Sequence, residues 1–186
     1  MKRFFDLLLC FFILTIMLIP IIFIAMLVRC TSKGPSIYWS KRVGKNNNIF
    51  LMPKFRTMKI NTPQVATHLV ENSADHLTPI GSLLRHFSLD ELPQLFSIIK
   101  GDMSFVGPRP ALFNQDDLIL LRKEKGIDKL IPGITGWAQI NGRDSISIKD
   151  KVNLDFEYLN KQSLLFDLFI IKNTIFKVIY KNDISH

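Results

Sequence analysis

The most constraining feature of the sequence is an apolar segment near the N-terminus. Between Phe4 and Val28, the clearly polar or helix-breaking residues are Asp6, Thr15 and Pro20. About 20 predominantly apolar residues are enough for a helix to cross the ~30 Å hydrocarbon core of a bilayer. The run is longer than the ~7–15 apolar residues of a signal peptide, and no cleavage site of small residues follows it. The sequence therefore predicts a membrane helix that is retained in the protein.

Two paths through the membrane are open to this helix. It either spans the bilayer, or it enters and leaves on the same side as a re-entrant helix. Pro20 removes a backbone hydrogen bond in mid-segment and favours a kink there. Basic residues flank both ends, Lys2 and Arg3 before the segment and Arg29 and Lys33 after it, and such residues collect on the cytoplasmic side. These features fit a re-entrant helix, but spanning helices also contain proline, so the residues leave both paths open.

The charge balance predicts a polyanionic partner. The 186 residues include 24 Lys plus Arg and 16 Asp plus Glu, which gives a formal charge of +8. Nucleic acid, an anionic membrane surface and phosphorylated substrates all suit such a chain. The apolar content of 47% favours the membrane. The sequence has no RNA-binding or zinc-finger signature, so a nucleic-acid partner is not expected.

The remainder of the chain predicts a small α/β domain. Residues 36–58 have the pattern of two strands around the turn Gly44-Lys45-Asn46-Asn47. A helix is predicted after Thr78-Pro79, with the threonine as its cap and the proline at its first position. Further helices are predicted over 118–129 and over 163–180, the last as a core or interfacial helix.

Asp90 and Glu91 are the first candidates for chemistry. The string Ser88-Leu89-Asp90-Glu91 matches the S-x-x-E capping box, which would place both acids in the first turn of a helix. The helix dipole favours a negative charge there, and an ionised carboxylate can bind a hard cation or act as a nucleophile. Acids are common in first turns, so a purely capping role stays open. The buried stripe of this helix is predicted to consist of Leu92, Leu95, Phe96 and Ile99.

Basic side chains form the second group of candidates. Lys54 and Arg56 alternate, so that in a strand they share one face, and Arg85 precedes Asp90 by five residues. Cations beside a carboxylate and a divalent ion suit a diphosphate substrate. A solvated basic face or contacts with anionic lipid are the alternative interpretation.

Two loops rich in glycine and proline complete the candidates. In 101–110, Pro108 and Pro110 fix the backbone around Arg109 and lower the entropy that its guanidinium loses on binding an anion. In 132–143, three glycines permit close approach of the backbone to a ligand. Trp137 in the same loop can stack on a base, anchor at the bilayer or pack in the core. Rigid connections between elements are the alternative role for both loops.

Taken together, these strings resemble the bacterial sugar transferase family, the monotopic phosphoglycosyl transferases. The matching stretches are 54–58, 88–95, 101–110 and 132–143, and their order, spacing and leading apolar segment also match. The resemblance covers nearly the whole chain, and the size is similar to that of the minimal members. One departure is Asp75-His76-Leu77-Thr78, which stands where larger relatives often carry D-P-R-x-T. It ends the polar 61–77 loop, a candidate region for sugar choice.

The resemblance implies a fold and a location. Residues 1–30 would form the re-entrant helix-break-helix, with its break at Pro20. Residues 31–186 would form the catalytic domain on the cytoplasmic face of the bacterial inner membrane, in contact with membrane lipid. The expected fold class is α/β: a small membrane-associated domain with a short β-hairpin and interfacial amphipathic helices. A homodimer is one option, and the oligomeric state stays open.

The resemblance also implies a reaction. Asp90 matches the aspartate that attacks the sugar-bearing phosphate of a UDP-sugar. UMP leaves, and polyprenyl phosphate, such as undecaprenyl phosphate, takes the phosphosugar from the aspartyl intermediate. Mg²⁺ is expected near Asp90 and Glu91, which are both candidate catalytic residues and metal ligands. The residues implied in substrate binding are Lys54, Arg56, Arg85, Pro108, Arg109, Pro110 and Arg143.

Two other functions are compatible with the residues alone. A lipid-phosphate hydrolase with a spanning helix would release free sugar phosphate without a lipid product. A non-catalytic membrane scaffold would use the basic face to bind anionic lipid. The sequence does not identify the sugar or the pathway.

Overall fold

The described chain combines α-helices with two small two-stranded sheets. The computed structural model describes residues 1–60, 62, 73–142 and 145–179. Its α-helices are α1 (Lys2–Thr31), α2 (Gly81–His86), α3 (Leu95–Lys100), α4 (Asp116–Glu124), α5 (Trp137–Ile140), α6 (Ile148–Lys161) and α7 (Leu164–Ile179). Its strands are β1 (Ile37–Val43), β2 (Ile49–Phe55), β3 (Ser104–Val106) and β4 (Gly133–Thr135). Short 3₁₀ helices lie at Lys45–Asn47, Ser73–His76, Leu89–Gln94 and Ile127–Lys129. The expected class is therefore found as mixed helices and small strands.

The long helix α1 lies along the domain. Its buried residues are spaced to fall on one face of a helix that packs against a core, and they are Asp6, Cys10, Ile24 and Val28. Between them, Leu14 and Ile21 are partly buried against the same clusters. The opposite face is apolar and exposed, and it includes Phe4, Phe11, Ile19 and Phe23. One face of α1 thus contacts protein while the other presents hydrocarbon to the surroundings.

Helical geometry continues through Pro20. The predicted break into two separate helices is not found, because a single helix runs from Lys2 to Thr31 with Pro20 inside it. An interior proline removes one backbone hydrogen bond and can bend a helix without ending it. Among the described residues, α1 is the one helix long and apolar enough to cross a membrane. The re-entrant path does not require two helices and stays a prediction.

The N-terminal end of α1 is held by polar contacts. Asp6 is buried and accepts hydrogen bonds from Ser104 Oγ at 3.1 Å and from the Phe105 backbone N–H at 3.2 Å. Lys2 forms an ion pair with buried Asp167 on α7. Arg3 donates to the carbonyl of Ile99 at 2.7 Å. The first turns of the apolar helix are therefore fixed to β3, α3 and α7.

The C-terminal end of α1 contacts the same domain. Ile24 and Val28 form a cluster with Phe55 of β2 and Leu84 of α2. Ser36 Oγ donates to the Ala25 carbonyl at 2.8 Å. A helix of 30 residues is about 45 Å long. Both ends of this length lie against one protein body.

The predicted hairpin is confirmed. β1 and β2 pair antiparallel, from Ile37 opposite Phe55 to Val43 opposite Ile49. Ser40, Phe50 and Met52 are buried on the core face. Asn46 and Asn47 make the turn with positive φ, a conformation that asparagine tolerates better than most residues.

The two glycine-rich loops meet each other. β3 and β4 pair in parallel, and Gly107 N–H donates to the Thr135 carbonyl at 2.9 Å. A Cβ added at Gly133 would lie 2.1 Å from Gly107 N, and one at Gly136 would lie 2.1 Å from Gly107 O. These glycines let the two backbones lie close together. The close approach predicted from the sequence was to a ligand instead. Trp137 packs against Phe166 with ring centroids 5.1 Å apart.

The bounds of two predicted helices are corrected. The helix expected after Thr78-Pro79 begins at Gly81, and its N-cap position, Ile80, makes no side-chain cap bond. Thr78 donates its N–H to the Thr57 carbonyl at 2.9 Å and accepts from Gly81 N–H through its carbonyl at 2.8 Å, while its buried hydroxyl makes no hydrogen bond with the described residues and so does not cap the helix. The helix predicted over 118–129 is α4 followed by a 3₁₀ turn. The helix predicted over 163–180 is confirmed as α7, whereas α6 has no counterpart among the predicted helices.

The predicted stripe after Asp90 is only partly buried. Leu95 is buried, but Phe96 and Ile99 are exposed by 57% and 47%. Ile98, outside the predicted stripe, is fully buried. The helix α3 therefore turns a different face to the core than periodicity indicated, and Phe96 and Ile99 remain uncovered.

Asp6→Ala should destabilise the protein, because it leaves the buried Phe105 N–H without its acceptor. An unsatisfied buried donor costs about 1–3 kcal/mol, or roughly 2–10 °C in Tm for a chain of this size. Thermal unfolding followed by circular dichroism in detergent measures the effect. The matched control is Thr15→Val, whose exposed hydroxyl bonds within α1. Equal Tm values for the two variants would contradict the anchoring role.

Candidate active site

The backbone that carries Asp90 and Glu91 is a 3₁₀ helix, not the start of an α-helix. Ser88 precedes it in the left-handed region, at φ 55°, and makes no side-chain cap bond. The predicted capping box is therefore wrong. The box does not form because the Glu91 side chain binds cations from distant parts of the chain. Pro93 fits in this short helix because the α-helical pattern starts only at Leu95.

Glu91 is shared between two cations from distant parts of the chain. Its Oε1 lies 2.8 Å from Lys54 Nζ and 3.2 Å from Arg109 Nη2. Lys54 comes from β2, and Arg109 comes from the loop between β3 and α4. We call Lys54, Glu91 and Arg109 the ion cluster. Its side chains are largely removed from solvent, which strengthens their mutual attraction.

Asp90 lies beside this cluster. It is 7% exposed, and its Oδ2 is 4.0 Å from Lys54 Nζ. Burial raises the pKa of Asp90; the positive charge of Lys54 opposes that rise, while the neighbouring Glu91 charge adds to it. Arg85 and Arg109 also lower the Asp90 pKa. The result is a carboxylate more basic than usual, held ionisable by nearby cations.

Arg85 approaches Asp90 from α2. Its Nε donates to Thr57 Oγ1 at 2.9 Å, and Thr57 is buried. Burial lowers the pKa of Arg85, and the charge of Asp90 opposes this shift. Burial also lowers the pKa of Lys54, against the pull of Glu91. Arg85 and Lys54 are thus cations that are removed from much of the solvent and lie near the carboxylates of Asp90 and Glu91. A site of this kind is suited to an anionic ligand.

The Pro108-Arg109-Pro110 turn is held through all three of its carbonyls. Gly133 N–H donates to the Pro108 carbonyl at 3.0 Å. Arg122 Nη1 donates to the Arg109 carbonyl at 2.8 Å, and Arg42 Nη1 donates to the Pro110 carbonyl at 3.2 Å. Burial lowers the pKa of Arg42 to about 10. The backbone of the turn is thus fixed, and the Arg109 side chain is directed to Glu91.

A buried ion pair supports this turn from behind. Arg122 on α4 donates through Nη2 and Nε to Asp155 Oδ2, at 2.7 and 3.0 Å. Asp155 on α6 is 1% exposed; burial raises its pKa, and Arg122 opposes the shift. Sequence reasoning missed Arg42, Arg122 and Asp155. The available signal was an acid three residues after Val152, on a face that is otherwise apolar and buried.

The predicted site residues are brought together in part. Asp90, Glu91, Lys54, Arg85 and Arg109 converge, and Pro108 and Pro110 flank the last of these. Arg56 follows β2 and its guanidinium lies beside Gly34, where an added Cβ would be 2.8 Å from Nη1. Arg143 and most of the 61–77 loop lie outside the described residues. The roles of Arg56 and Arg143 in substrate binding stay predictions.

The Mg²⁺ expected near Asp90 and Glu91 stays a prediction, and the chemistry of the residues at that position can be compared with it. In the described ranges, no group of three or more His, Cys, Asp or Glu side chains converges. Asp90 and Glu91 are adjacent carboxylates, and Mg²⁺ is commonly held by one or two carboxylates together with substrate phosphates. The residues therefore fit a magnesium ion that is completed by a phosphorylated ligand, not one caged by protein alone.

A match to a known protein family covers almost the whole chain. The sequence model of the family described as "Bacterial sugar transferase" matches residues 1–181. The protein belongs to the bacterial sugar transferase family.

Three similar proteins show what the chain shares with named relatives. The uncharacterized sugar transferase EpsL of Bacillus subtilis is 39% identical, over 100% of this chain and 90% of EpsL. The UDP-glucose:undecaprenyl-phosphate glucose-1-phosphate transferase of Escherichia coli K12 is 37% identical, over 95% of this chain and 40% of that protein. The UDP-N-acetylgalactosamine-undecaprenyl-phosphate N-acetylgalactosaminephosphotransferase of Aeromonas hydrophila is 36% identical, over 81% and 37%. The chain spans most of EpsL but less than half of the other two.

Lys54→Met should raise the pKa of Asp90 further, because it removes the largest charge effect that opposes burial. Loss of an opposite charge this close disfavours the ionised form of the carboxyl group. At a given pH, a smaller fraction of Asp90 would then be ionised. The pH dependence of the Asp90 ¹³Cγ chemical shift measures this, with Lys41→Met, an exposed position on the same hairpin, as control. An Asp90 titration unchanged or shifted to lower pH would contradict the arrangement.

Proposed function

We propose that the protein is a phosphoglycosyl transferase that moves a sugar 1-phosphate from a UDP-sugar to polyprenyl phosphate. The observation that carries this is Asp90, a buried carboxylate with a raised pKa, 4.0 Å from Lys54 and next to the ion cluster. Family membership and the names of two relatives support the substrate classes. The sugar is left open, since those two relatives are named for different sugars.

In the first step, an oxygen of Asp90 attacks the sugar-bearing phosphorus of the UDP-sugar. A bond forms between that oxygen and phosphorus, and the bond from phosphorus to the bridging oxygen breaks. The electron pair of the broken bond leaves with UMP. A phosphosugar-aspartyl intermediate remains on the protein. Burial makes the Asp90 carboxylate more basic, and a more basic carboxylate is a better nucleophile than an ordinary one when it is ionised. The neighbouring cations favour that ionised form.

In the second step, a phosphate oxygen of the polyprenyl phosphate attacks the same phosphorus. The bond to Asp90 breaks, and the carboxylate is restored. The product is a polyprenyl diphosphate sugar. Two displacements let one carboxylate serve a water-soluble donor and a membrane-bound acceptor in turn.

The surrounding cations have separate roles in this proposal. Arg109, on its fixed turn, and Lys54 offset the charge of the diphosphate, which would otherwise repel Asp90. Glu91 holds both cations in position. Arg85, on the Thr57 side, faces Asp90 and favours its ionised form. Each of these groups is placed before substrate arrives, so little reorganisation is needed during the reaction.

Asp90 and Glu91 would hold Mg²⁺. When bound, the ion supplies positive charge that neutralises the diphosphate. The carboxylates are the hard oxygen ligands that this ion prefers.

We also propose that α1 stays on one side of the membrane, at the cytoplasmic face of the bacterial inner membrane. A spanning helix has its two ends on opposite sides of the bilayer, so one domain cannot contact both ends. Here Asp6 contacts β3 while Val28 packs with Phe55 and Leu84. The exposed apolar face of α1 would then lie in the cytoplasmic leaflet, with the basic flanks at the headgroups.

Asp90→Asn should abolish UMP release from a UDP-sugar with undecaprenyl phosphate as acceptor, because an amide is not a nucleophile of this kind. A loss of at least about 1,000-fold is expected for removal of an attacking group. Asp102→Asn is the matched control, since Asp102 lies nearby in sequence and pairs with Lys100 at the surface. A panel of UDP-sugars serves as donor because the sugar is open.

Each outcome of this assay is informative. Normal turnover by Asp90→Asn would overturn the nucleophile assignment. Release of free sugar phosphate without a lipid product would indicate a hydrolase. Absence of turnover with every donor, despite intact membrane attachment, would indicate a scaffold.

The one-sided topology predicts that a tag at the N-terminus is inaccessible from the periplasm. Labelling of a single cysteine in an N-terminal tag of a Cys10→Ala/Cys30→Ala variant, in intact cells and after permeabilisation, measures this. The tag should react only after permeabilisation. Labelling in intact cells would show that α1 spans the membrane.

A further inference from the structure

A second concave surface lies next to the active site. It is a groove of about 320 Å³ between α1, the hairpin and the segment 92–99. Leu14 and Ile21 of α1 form one wall, and Trp39 and Pro53 of the hairpin form another. Phe96 of α3 contributes to the third. We call this surface the apolar groove, since all of its lining residues are apolar; its volume lies within the range of ligand pockets, ~300–1,000 Å³.

The apolar groove and Asp90 share one element, the 3₁₀ helix Leu89–Gln94. Leu92 and Pro93 line the groove and belong to the same 3₁₀ helix as Asp90. With a rise of about 2.0 Å per residue, they begin roughly 4–6 Å further along that helix. On the hairpin, Pro53 and Trp39 line the groove, while the side chain of Lys54 lies on the opposite face, toward Glu91. The groove and the candidate site therefore meet through the 3₁₀ helix that they share.

The groove is open and its side chains are not covered by protein. Trp39 is 49% exposed and Phe96 is 57% exposed. Clustered exposed apolar side chains of this size mark a surface that binds an apolar partner. Its remaining wall is α1, whose outer face is itself exposed and apolar. The groove thus leads from a site for phosphate to the surface that would face lipid.

We propose that the apolar groove binds the isoprene units nearest the phosphate of the polyprenyl phosphate acceptor. This proposal rests on the proposed function and names where its second substrate lies. The acceptor has a charged phosphate joined to a hydrocarbon chain, and one 3₁₀ helix carries both Asp90, with its neighbouring cations, and two residues of the apolar groove. With the phosphate at Asp90, the hydrocarbon chain needs apolar surroundings, and the groove begins two residues along the same 3₁₀ helix, at Leu92. A bilayer acyl chain or a partner helix would not need this continuity with Asp90.

Trp39→Gln and Phe96→Gln test the proposal from two different elements. Each should raise the KM for undecaprenyl phosphate by about 10-fold or more, the scale of lost apolar contacts in a substrate pocket. Each should leave the first step unchanged, measured as UMP released from the UDP-sugar without acceptor, in an amount stoichiometric with enzyme. An unchanged first step also shows that the variant is folded.

Leu51→Gln is the matched control. Leu51 is 52% exposed and lies on the same face of the hairpin as Pro53, yet it does not line the groove. Its KM for the acceptor should equal that of the unmodified protein in detergent micelles. If Leu51→Gln weakens acceptor binding as much as the groove variants do, the face makes only general contact with lipid and the proposal is overturned.

The failure of this proposal differs from the failure of the proposed function. If the unmodified protein releases UMP and forms the lipid product, but both groove variants keep its acceptor KM, the tail binds elsewhere. If the unmodified protein releases no UMP with any donor of the panel, the proposed function itself fails, and the groove assignment fails with it.

Discussion

The structure depends most on one shared carboxylate, Glu91, which binds Lys54 and Arg109 through the same oxygen. These residues come from a strand, a 3₁₀ helix and a loop, and their meeting fixes the position of Asp90. Taking such charges out of water is costly, and it is offset only when each has a partner in good geometry. Removing one partner would leave the others buried and uncompensated. The cluster is therefore both a constraint on the fold and the electrostatic setting of the proposed nucleophile.

The rest of the fold holds this cluster beside the long apolar helix α1. Glycines let the two glycine-rich loops lie close enough for their backbones to form hydrogen bonds. The Arg122–Asp155 ion pair supports the Arg109 turn from the opposite side. Asp6 fixes the start of α1 to β3, only a few residues before that same turn. The proposed transfer from a soluble donor to a lipid requires a site close to the bilayer, and these contacts make the apolar helix α1 part of the support of the candidate site.

Much of the local structure could be predicted from the sequence, because local chemistry decides it. The asparagine turn and the alternating strand pattern predicted the hairpin, and the density of apolar residues predicted α7. The errors arose where distant contacts overrule a local pattern. Glu91 has the spacing of a capping box, but Lys54 and Arg109 engage its side chain, and Ser88 adopts a left-handed conformation. Arg122 and Asp155 are 33 positions apart, so neither residue's neighbours in sequence indicate the pair.

The most direct test of the central claim is the intact mass of the protein after incubation with a UDP-sugar in the absence of acceptor. The account predicts a covalent increase of one phosphosugar, located on Asp90, that is lost when undecaprenyl phosphate is added. A donor that supports full turnover with the acceptor but yields no adduct on trapping would contradict it.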